Sequence, residues 1–186
     1  MVALIWAGSA RAESRHHIAV TLGYTKLLSN DLKDSSIGVD FTNAFSGTLE
    51  YRYSFTPQID GTIESRATVS SSTATDPSTG LSVDLTLTNN YVGPGIRWNL
   101  TPTAPHPYLQ ANFYLVSEDV QSDVNGVSIS SNASGAGFGV SGGVDFPVSK
   151  LISIPVEIHY LYGKPSDDVS GAGVEAGIAW NFGAQR

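Results

Sequence analysis

The sequence predicts an all-β protein, an eight-stranded antiparallel up-and-down transmembrane β-barrel. Three observations lead to this fold class. From His16 onward apolar and polar residues alternate with a period of two, and no long segment keeps a helical period. About eight such segments occur, an even number that can close into an up-and-down barrel. Only 15% of the residues are charged, whereas about a quarter is usual for a soluble domain.

Each predicted strand has one apolar face and one polar face. The strands lie near residues 17–26, 45–55, 59–69, 92–100, 108–115, 137–146, 152–160 and 173–182. Their apolar faces are, in chain order, Ile18-Val20-Leu22-Tyr24, Phe45-Leu49-Tyr51-Tyr53-Phe55, Ile59-Ile63-Ala67-Val69, Val92-Pro94-Ile96-Trp98-Leu100, Leu109-Ala111-Phe113-Leu115, Phe138-Val140-Val144-Phe146, Ile152-Ile154-Val156-Ile158-Tyr160 and Val174-Ala176-Ile178-Trp180-Phe182.

The fourth strand is the least regular of the eight. Before Val92, the apolar positions of residues 81–87 have the opposite phase to those of residues 92–100. One extra residue near Asn89-Asn90 would reconcile the two halves, so we predict a β-bulge there.

The connections alternate between short and long. Short turns are predicted at Thr56-Pro57, 101–107 and 147–150, and long hydrophilic loops after Asn30, at 70–80, at 117–134 and after Gly163. In an up-and-down barrel this alternation places all long loops at one rim and both chain ends at the other.

The composition excludes several function classes. Seventeen acidic and ten basic side chains give a formal charge of −7. No basic stripe is present to neutralise phosphates, so we expect no nucleic-acid partner. The absence of cysteine excludes disulfide frameworks, thiolate catalysis and Cys-ligated zinc.

The first residues have the features of the end of a secretory signal. In MVALIWAGSARA, the apolar run 2–7 precedes the small-x-small tripeptide Ala10-Arg11-Ala12, which the polar Glu13 follows. We therefore predict a truncated signal-peptide remnant at 1–12 and the barrel domain at 13–186. An ordinary N-terminal extension with a few apolar residues is the alternative.

The apolar faces are predicted to contact lipid. None of them carries a charge, and the opposite face is rich in Gly, Ser and Thr, as a narrow lumen filled by side chains requires. Aromatic residues near both strand ends predict two membrane-interface girdles. The girdle residues are Tyr53, Phe55, Trp98, Phe146, Trp180 and Phe182 beside the short turns, and Tyr24, Phe45, Phe113, Phe138 and Tyr160 towards the long loops.

The polar faces predict a charge network in the lumen. Its members are Glu50, Arg52, Asp60, Glu64, Arg66, Arg97, Asp145, Glu157, His159 and Glu175. Buried charges must be paired, so we expect all three arginines to bridge glutamates across the barrel. Such a network is either a permanent plug or a gate that opens a narrow ion path when partners exchange.

We predict no catalytic, cofactor-binding or metal-ligating set. The adjacent His16 and His17 point to opposite faces of a strand, and the loop acids match no EF-hand.

Three segments of the chain carry a family resemblance. They are GPGIRWN at 93–99, PYLQANFY at 107–114 and GIAWNFG at 177–183. In their order and spacing, from His16 to Gly183, they resemble the eight-stranded outer-membrane barrels typified by outer-membrane proteins A and X. Such barrels often finish on an aromatic residue, whereas Phe182 is followed here by 183–186.

The resemblance implies a bacterial outer-membrane location and a set of partners. It implies periplasmic termini, extracellular long loops, a monomer in outer-membrane lipid and lipopolysaccharide, and insertion by the barrel-assembly machinery. The long loops are the expected contact for any extracellular partner.

The expected role is structural, adhesive or that of a low-conductance pore. The main alternative is a transporter of small hydrophobic molecules that resembles outer-membrane protein W and needs a lateral opening between strands. A lipid A-modifying enzyme is a weaker one, because the deacylases that these barrels resemble carry a Ser two residues after a His, where Leu161 follows His159 here. A soluble calycin-like binder with an apolar core would have the two faces exchanged.

Overall fold

The computed structural model describes residues 15–28, 33–34, 39–75, 82–101, 104–124, 127–165 and 168–182. The predicted signal remnant at 1–12 and the segment 183–186 lie outside the described residues. No helix in the described part of the chain is long and apolar enough to cross a membrane.

The eight predicted strands form a closed antiparallel barrel, which confirms the fold class. The strands are β1 (His16–Leu27), β2 (Lys33–Asp34), β3 (Val39–Asp40), β4 (Asn43–Ser54), β5 (Ile59–Thr75), β6 (Ser82–Asn99), β7 (His106–Val124), β8 (Val127–Pro147), β9 (Ile152–Lys164) and β10 (Val169–Phe182). The barrel order is β1-β10-β9-β8-β7-β6-β5-β4, and β4 pairs back with β1. Strands β2 and β3 form a separate two-stranded ribbon.

The barrel is polar inside and apolar outside. On β6, Ile96 is 64% exposed and its neighbour Arg97 is 1% exposed; on β7, Leu115 is 69% exposed and Tyr114 is 2% exposed. A buried methylene group gains about 0.8 kcal/mol relative to water, so this outer surface is unfavourable in water and suits lipid. The faces are the reverse of those that a soluble calycin-like binder needs.

The predicted bulge in the fourth strand is wrong. The pairing of β6 with β5 runs without interruption from Ile59 and Trp98 to Thr75 and Ser82. The apolar phase changes because Leu87 points into the lumen, where it belongs to an apolar cluster with Leu27, Phe41 and Ala44. The strand is therefore regular, and it is the side chains lining the lumen that change from polar to apolar along it.

The predicted loops at 70–80 and 117–134 are strand at the residues that the structure describes, which are 70–75, 117–124 and 127–134; the remaining positions lie outside the described residues. Strand β5 continues to Thr75, and β7 and β8 pair as far as Val124 and Val127. Their Ser and Thr residues suggested loops because the composition is polar, but backbone pairing satisfies these segments. We call residues 70–75, 82–88, 118–124 and 127–135 the outer sheet; it extends the barrel wall past the last partners of β4 and β9, which are Val69 and Ala136.

Candidate functional site

The barrel interior holds all ten residues of the predicted charge network. Each of them is at most 8% exposed. They lie at inward positions of β4, β5 and β6 on one side of the barrel and of β8, β9 and β10 on the other. Because inward positions recur every second residue, each strand contributes its charges at fixed spacing. The interior therefore contains two adjoining groups of charges.

The first group, the arginine-pair cluster, contains Arg52, Arg97, Asp145, Glu50 and Asp60. Arg52 Nη1 lies 2.9 Å and Arg97 Nη2 lies 2.5 Å from the same oxygen, Asp145 Oδ2. Arg52 Nε also contacts Glu50 Oε1 at 3.0 Å, and Arg97 Nε lies 3.9 Å from Asp60 Oδ2. Two cations are thus held by three carboxylates.

One expectation about this cluster is wrong. The sequence predicted that every arginine bridges glutamates, but the partners of Arg97 are Asp145 and Asp60. The strand register explains the difference, because it places Asp60 directly opposite Arg97 on the neighbouring strand. The shorter aspartate side chains suffice at this level, where Asn99 also donates to Asp60 at 3.0 Å.

The second group, the three-glutamate cluster, contains Arg66, the carboxylates of Glu64, Glu157 and Glu175, and His159, whose Nδ1 lies 4.0 Å from Glu157 Oε1. Arg66 Nε lies 2.9 Å from Glu64 Oε1, Nη2 lies 2.7 Å from Glu157 Oε1, and Nη1 lies 3.4 Å from Glu175 Oε1. A single guanidinium therefore serves three acids, as the sequence predicted for Arg66. This cluster has more uncompensated negative charge than the arginine-pair cluster.

Residues of β7 join the two clusters. Gln110 Nε2 donates to Glu50 Oε2 at 2.5 Å and to Glu64 Oε2 at 3.0 Å. The ring of Tyr108 lies 3.3 Å from the guanidinium carbon of Arg97, and its hydroxyl donates to Glu157 Oε2 at 3.0 Å. The ten-residue prediction missed these neutral side chains because it collected charges only. Both residues lie on the polar face of the fifth predicted strand, and this position could have predicted that they point into the lumen.

Glycines make the space that the tyrosines occupy. A Cβ atom at Gly143 would lie 2.6 Å from the Tyr108 hydroxyl, and one at Gly139 would lie 2.7 Å from a ring carbon of Tyr114. The Tyr114 hydroxyl donates to Glu64 at 2.7 Å. The glycine-rich β8 therefore has a packing role, as expected for close contact in a small lumen.

Little free volume remains beside the charges of the two clusters. A cavity of about 20 Å³ remains beside Glu50, Glu64, Arg66 and Glu157, and that is room for about one water molecule. Above the charges, Tyr91, Tyr114, Val116 and Leu161 form a buried cluster, and the apolar cluster around Leu27 and Leu87 follows towards the long hairpins. Beyond the charges, the lumen thus contains two buried clusters of aromatic and aliphatic side chains.

A comparison with protein families decides what kind of barrel this is. The family model described as outer membrane protein beta-barrel domain matches residues 1–182. The chain belongs to this family. It is therefore a membrane-embedded barrel of the bacterial outer membrane, and its apolar outer face is the surface that contacts lipid.

Solved outer-membrane barrels share this fold at low sequence identity. Neisserial surface protein A is 18% identical, with a TM-score of 0.65, over 90% of this chain and 97% of that one. The attachment invasion locus protein Ail of Yersinia pestis, solved with the heparin analogue sucrose octasulfate, is 15% identical, with a TM-score of 0.60, over 90% and 99%. OprG of Pseudomonas aeruginosa is 10% identical, with a TM-score of 0.55, over 92% and 98%. No curated protein matches the chain significantly.

The aromatic residues proposed as girdles lie on the outward face of this outer-membrane barrel. Ten of the eleven are at least 37% exposed, and Tyr53 is partly exposed. At the rim with the short turns, His16 stacks on Phe182 with a centroid distance of 5.7 Å and contacts Tyr53 edge-on at 5.2 Å. His16, which the sequence did not predict as a girdle residue, thus packs among outward aromatic side chains at this rim.

Proposed function

We propose that this outer-membrane barrel is a monomeric, non-enzymatic surface protein whose outer sheet is extracellular and binds cationic partners. The observation that supports the proposal is the charge of the outer sheet. Its described residues include Asp84, Glu118, Asp119 and Asp123 and no Lys, Arg or His. Asp84 and Asp123 lie directly opposite each other on β6 and β7. Like charges placed opposite each other destabilise a sheet, and a bound cationic group would relieve this.

The same charges argue against a polyanionic ligand. Ail was solved with a heparin analogue, but sulfate groups would be repelled by an acidic outer sheet whose described residues include no Lys, Arg or His. The chemistry therefore favours a basic peptide or protein surface over a sulfated glycan.

Binding can be tested with the folded chain in lipid nanodiscs. We expect it to bind a polylysine surface, to lose binding as salt rises, and to ignore a heparin surface. The double substitution Asp84→Asn and Asp123→Asn should weaken binding, whereas Glu64→Gln in the lumen is the matched control and should not. Preference for heparin, or equal binding by the Asp84/Asp123 variant, would contradict the proposal.

The orientation has an independent test because the chain has no cysteine. Ser131, in the outer sheet, and Lys150, in a short turn, are both exposed. In intact cells a membrane-impermeant maleimide should label Ser131→Cys and leave Lys150→Cys unlabelled until the outer membrane is opened. The opposite pattern would place the outer sheet in the periplasm. We propose that the barrel-assembly machinery inserts this protein into the outer membrane, whichever rim is extracellular.

We propose that the lumen is a plug rather than an open pore. The near-absence of cavity volume around the charge clusters supports this, as does the apolar cluster beyond them. The same features disfavour transport of hydrophobic molecules through the interior. In planar bilayers the protein should show no discrete openings.

A gated low-conductance pore is the second candidate. It is favoured by the surroundings of Arg66, which has three carboxylates within 3.4 Å and could exchange one of them for another. Brief openings that disappear in Arg66→Met would support this candidate over the plug.

A further inference from the structure

Three metal-ligating atoms converge inside the three-glutamate cluster. Glu157, His159 and Glu175 each offer one such atom, and the three atoms lie within 4.8 Å of one another. Glu157 and His159 occupy successive inward positions of β9, and Glu175 pairs directly with Glu157 from β10. All three residues are more than nine-tenths buried.

The other polar atom of each of these residues is already held by a hydroxyl group. Glu157 Oε2 accepts hydrogen bonds from Tyr108 and Ser141, both at 3.0 Å. Glu175 Oε2 accepts from Thr21 at 2.5 Å. His159 Nε2 lies 3.0 Å from Thr25 Oγ1. Protein metal sites orient their ligands through such outer hydrogen bonds.

His159 has one ring nitrogen without a hydrogen-bond partner. Its Nδ1 is buried and has no hydrogen-bond partner, and it lies 4.0 Å from Glu157 Oε1. A buried nitrogen without a partner is costly. Another lumen histidine, His17, differs, because its ring nitrogens contact Asn181 at 2.8 Å and Ser54 at 3.3 Å. His159 therefore has an available ligand atom that His17 lacks.

The three-glutamate cluster has more carboxylates than guanidinium groups. Glu64, Glu157 and Glu175 carry three negative charges against the one positive charge of Arg66. One dication would neutralise the remainder. It would compete with the Nη atoms of Arg66 for Glu157 and Glu175, while Arg66 can keep Glu64 through Nε at 2.9 Å.

We propose that Glu157, His159 and Glu175 bind a divalent first-row transition metal, with Zn²⁺ as its representative. One imidazole and two carboxylates suit such ions. Bonds of about 2.0–2.2 Å require the three atoms to move closer than they are now, which the departure of the Arg66 Nη groups permits. The small cavity beside Glu157 and Arg66 gives room for this rearrangement.

The test uses the full chain folded in detergent, with Co²⁺ as a spectroscopic probe and Zn²⁺ titrated by calorimetry. We expect one ion per barrel and a saturable Co²⁺ absorption band that Zn²⁺ abolishes. Thr25→Val removes only the hydroxyl that orients His159, and it should lower the affinity about 10- to 100-fold. His159→Gln should abolish binding, and His17→Gln is the matched control that should leave it unchanged. Faster gel migration of unboiled samples checks that each variant folds.

Two further results decide the proposal even if His159→Gln fails to fold. Arg66→Gln removes the competing cation and should tighten Zn²⁺ binding. The absence of a saturable Co²⁺ band in the unmutated barrel overturns the proposal. So does a loss of affinity in His17→Gln with none in Thr25→Val, since that would place the ion at the His16-His17 end of β1.

Discussion

The two charge clusters of the lumen are built from the same kinds of side chain but are balanced differently. In the arginine-pair cluster, Arg52 and Arg97 converge on one oxygen of Asp145. In the three-glutamate cluster, three acids converge on Arg66. The first cluster has two guanidinium groups for three acids, so most of its negative charge is compensated and its contacts stabilise the barrel. The second keeps excess negative charge, and it is there that another cation can enter.

The largest expected effect comes from removing the one cation of the three-glutamate cluster. Arg66→Met leaves Glu64, Glu157 and Glu175 buried without compensation and should destabilise the barrel by about 3–5 kcal/mol at neutral pH. The midpoint of urea unfolding, followed by the gel shift between folded and unfolded forms, measures this. The deficit should shrink in acid, where protonation removes the repulsion. A deficit that does not change with pH would mean that Arg66 acts through packing alone.

A smaller effect is expected in the arginine-pair cluster. Asp145→Asn keeps the size of the side chain and removes one negative charge, while Glu50 and Asp60 remain near the two arginines. Loss of charge-assisted hydrogen bonds of this kind costs about 1.5–3 kcal/mol. The same urea titration measures it. If Asp145→Asn is as damaging as Arg66→Met, the two clusters are equally balanced and the comparison fails.

The strand pattern was predictable because lipid and lumen alternate along every strand. The ion-pair partners inside the lumen were not predictable from the sequence. Arg66 and Glu157 are 91 residues apart in the chain and meet only through barrel closure. Composition can show that the lumen has more acids than arginines, but it cannot show that the surplus collects around one arginine.

The outer sheet was missed for a related reason. Segments rich in Ser and Thr, such as 70–75 and 127–135, have the composition of loops, and only their register with a neighbouring strand makes them sheet. The inward turn of Leu87 was similarly misinterpreted as a bulge, because alternation does not reveal that one end of a lumen is apolar.

The smallest expected effects come from two hydrogen bonds of the same chemistry in different surroundings. Tyr114 donates to Glu64 inside the lumen at 2.7 Å, and Tyr162 donates to the exposed Asp168 at 2.9 Å beyond the end of β9. Tyr114→Phe should cost about 1–2 kcal/mol, because a buried charged acceptor loses a donor. Tyr162→Phe should lower the unfolding midpoint much less than Tyr114→Phe does, since water can replace the hydroxyl beside an exposed carboxylate.

The exposed pair has its own measurable signature. The hydrogen bond from Tyr162, aided by Lys164, holds the pKa of Asp168 below its usual value. A lowered pKa stabilises the folded state at neutral pH, and that contribution disappears as the pH falls through the folded-state pKa. Carboxyl NMR of the detergent-folded chain should therefore show the pKa of Asp168 rising in Tyr162→Phe and unchanged in Tyr114→Phe. A rise in both variants would mean that the lumen and this rim are coupled, and that the interior charges are not isolated from the loops.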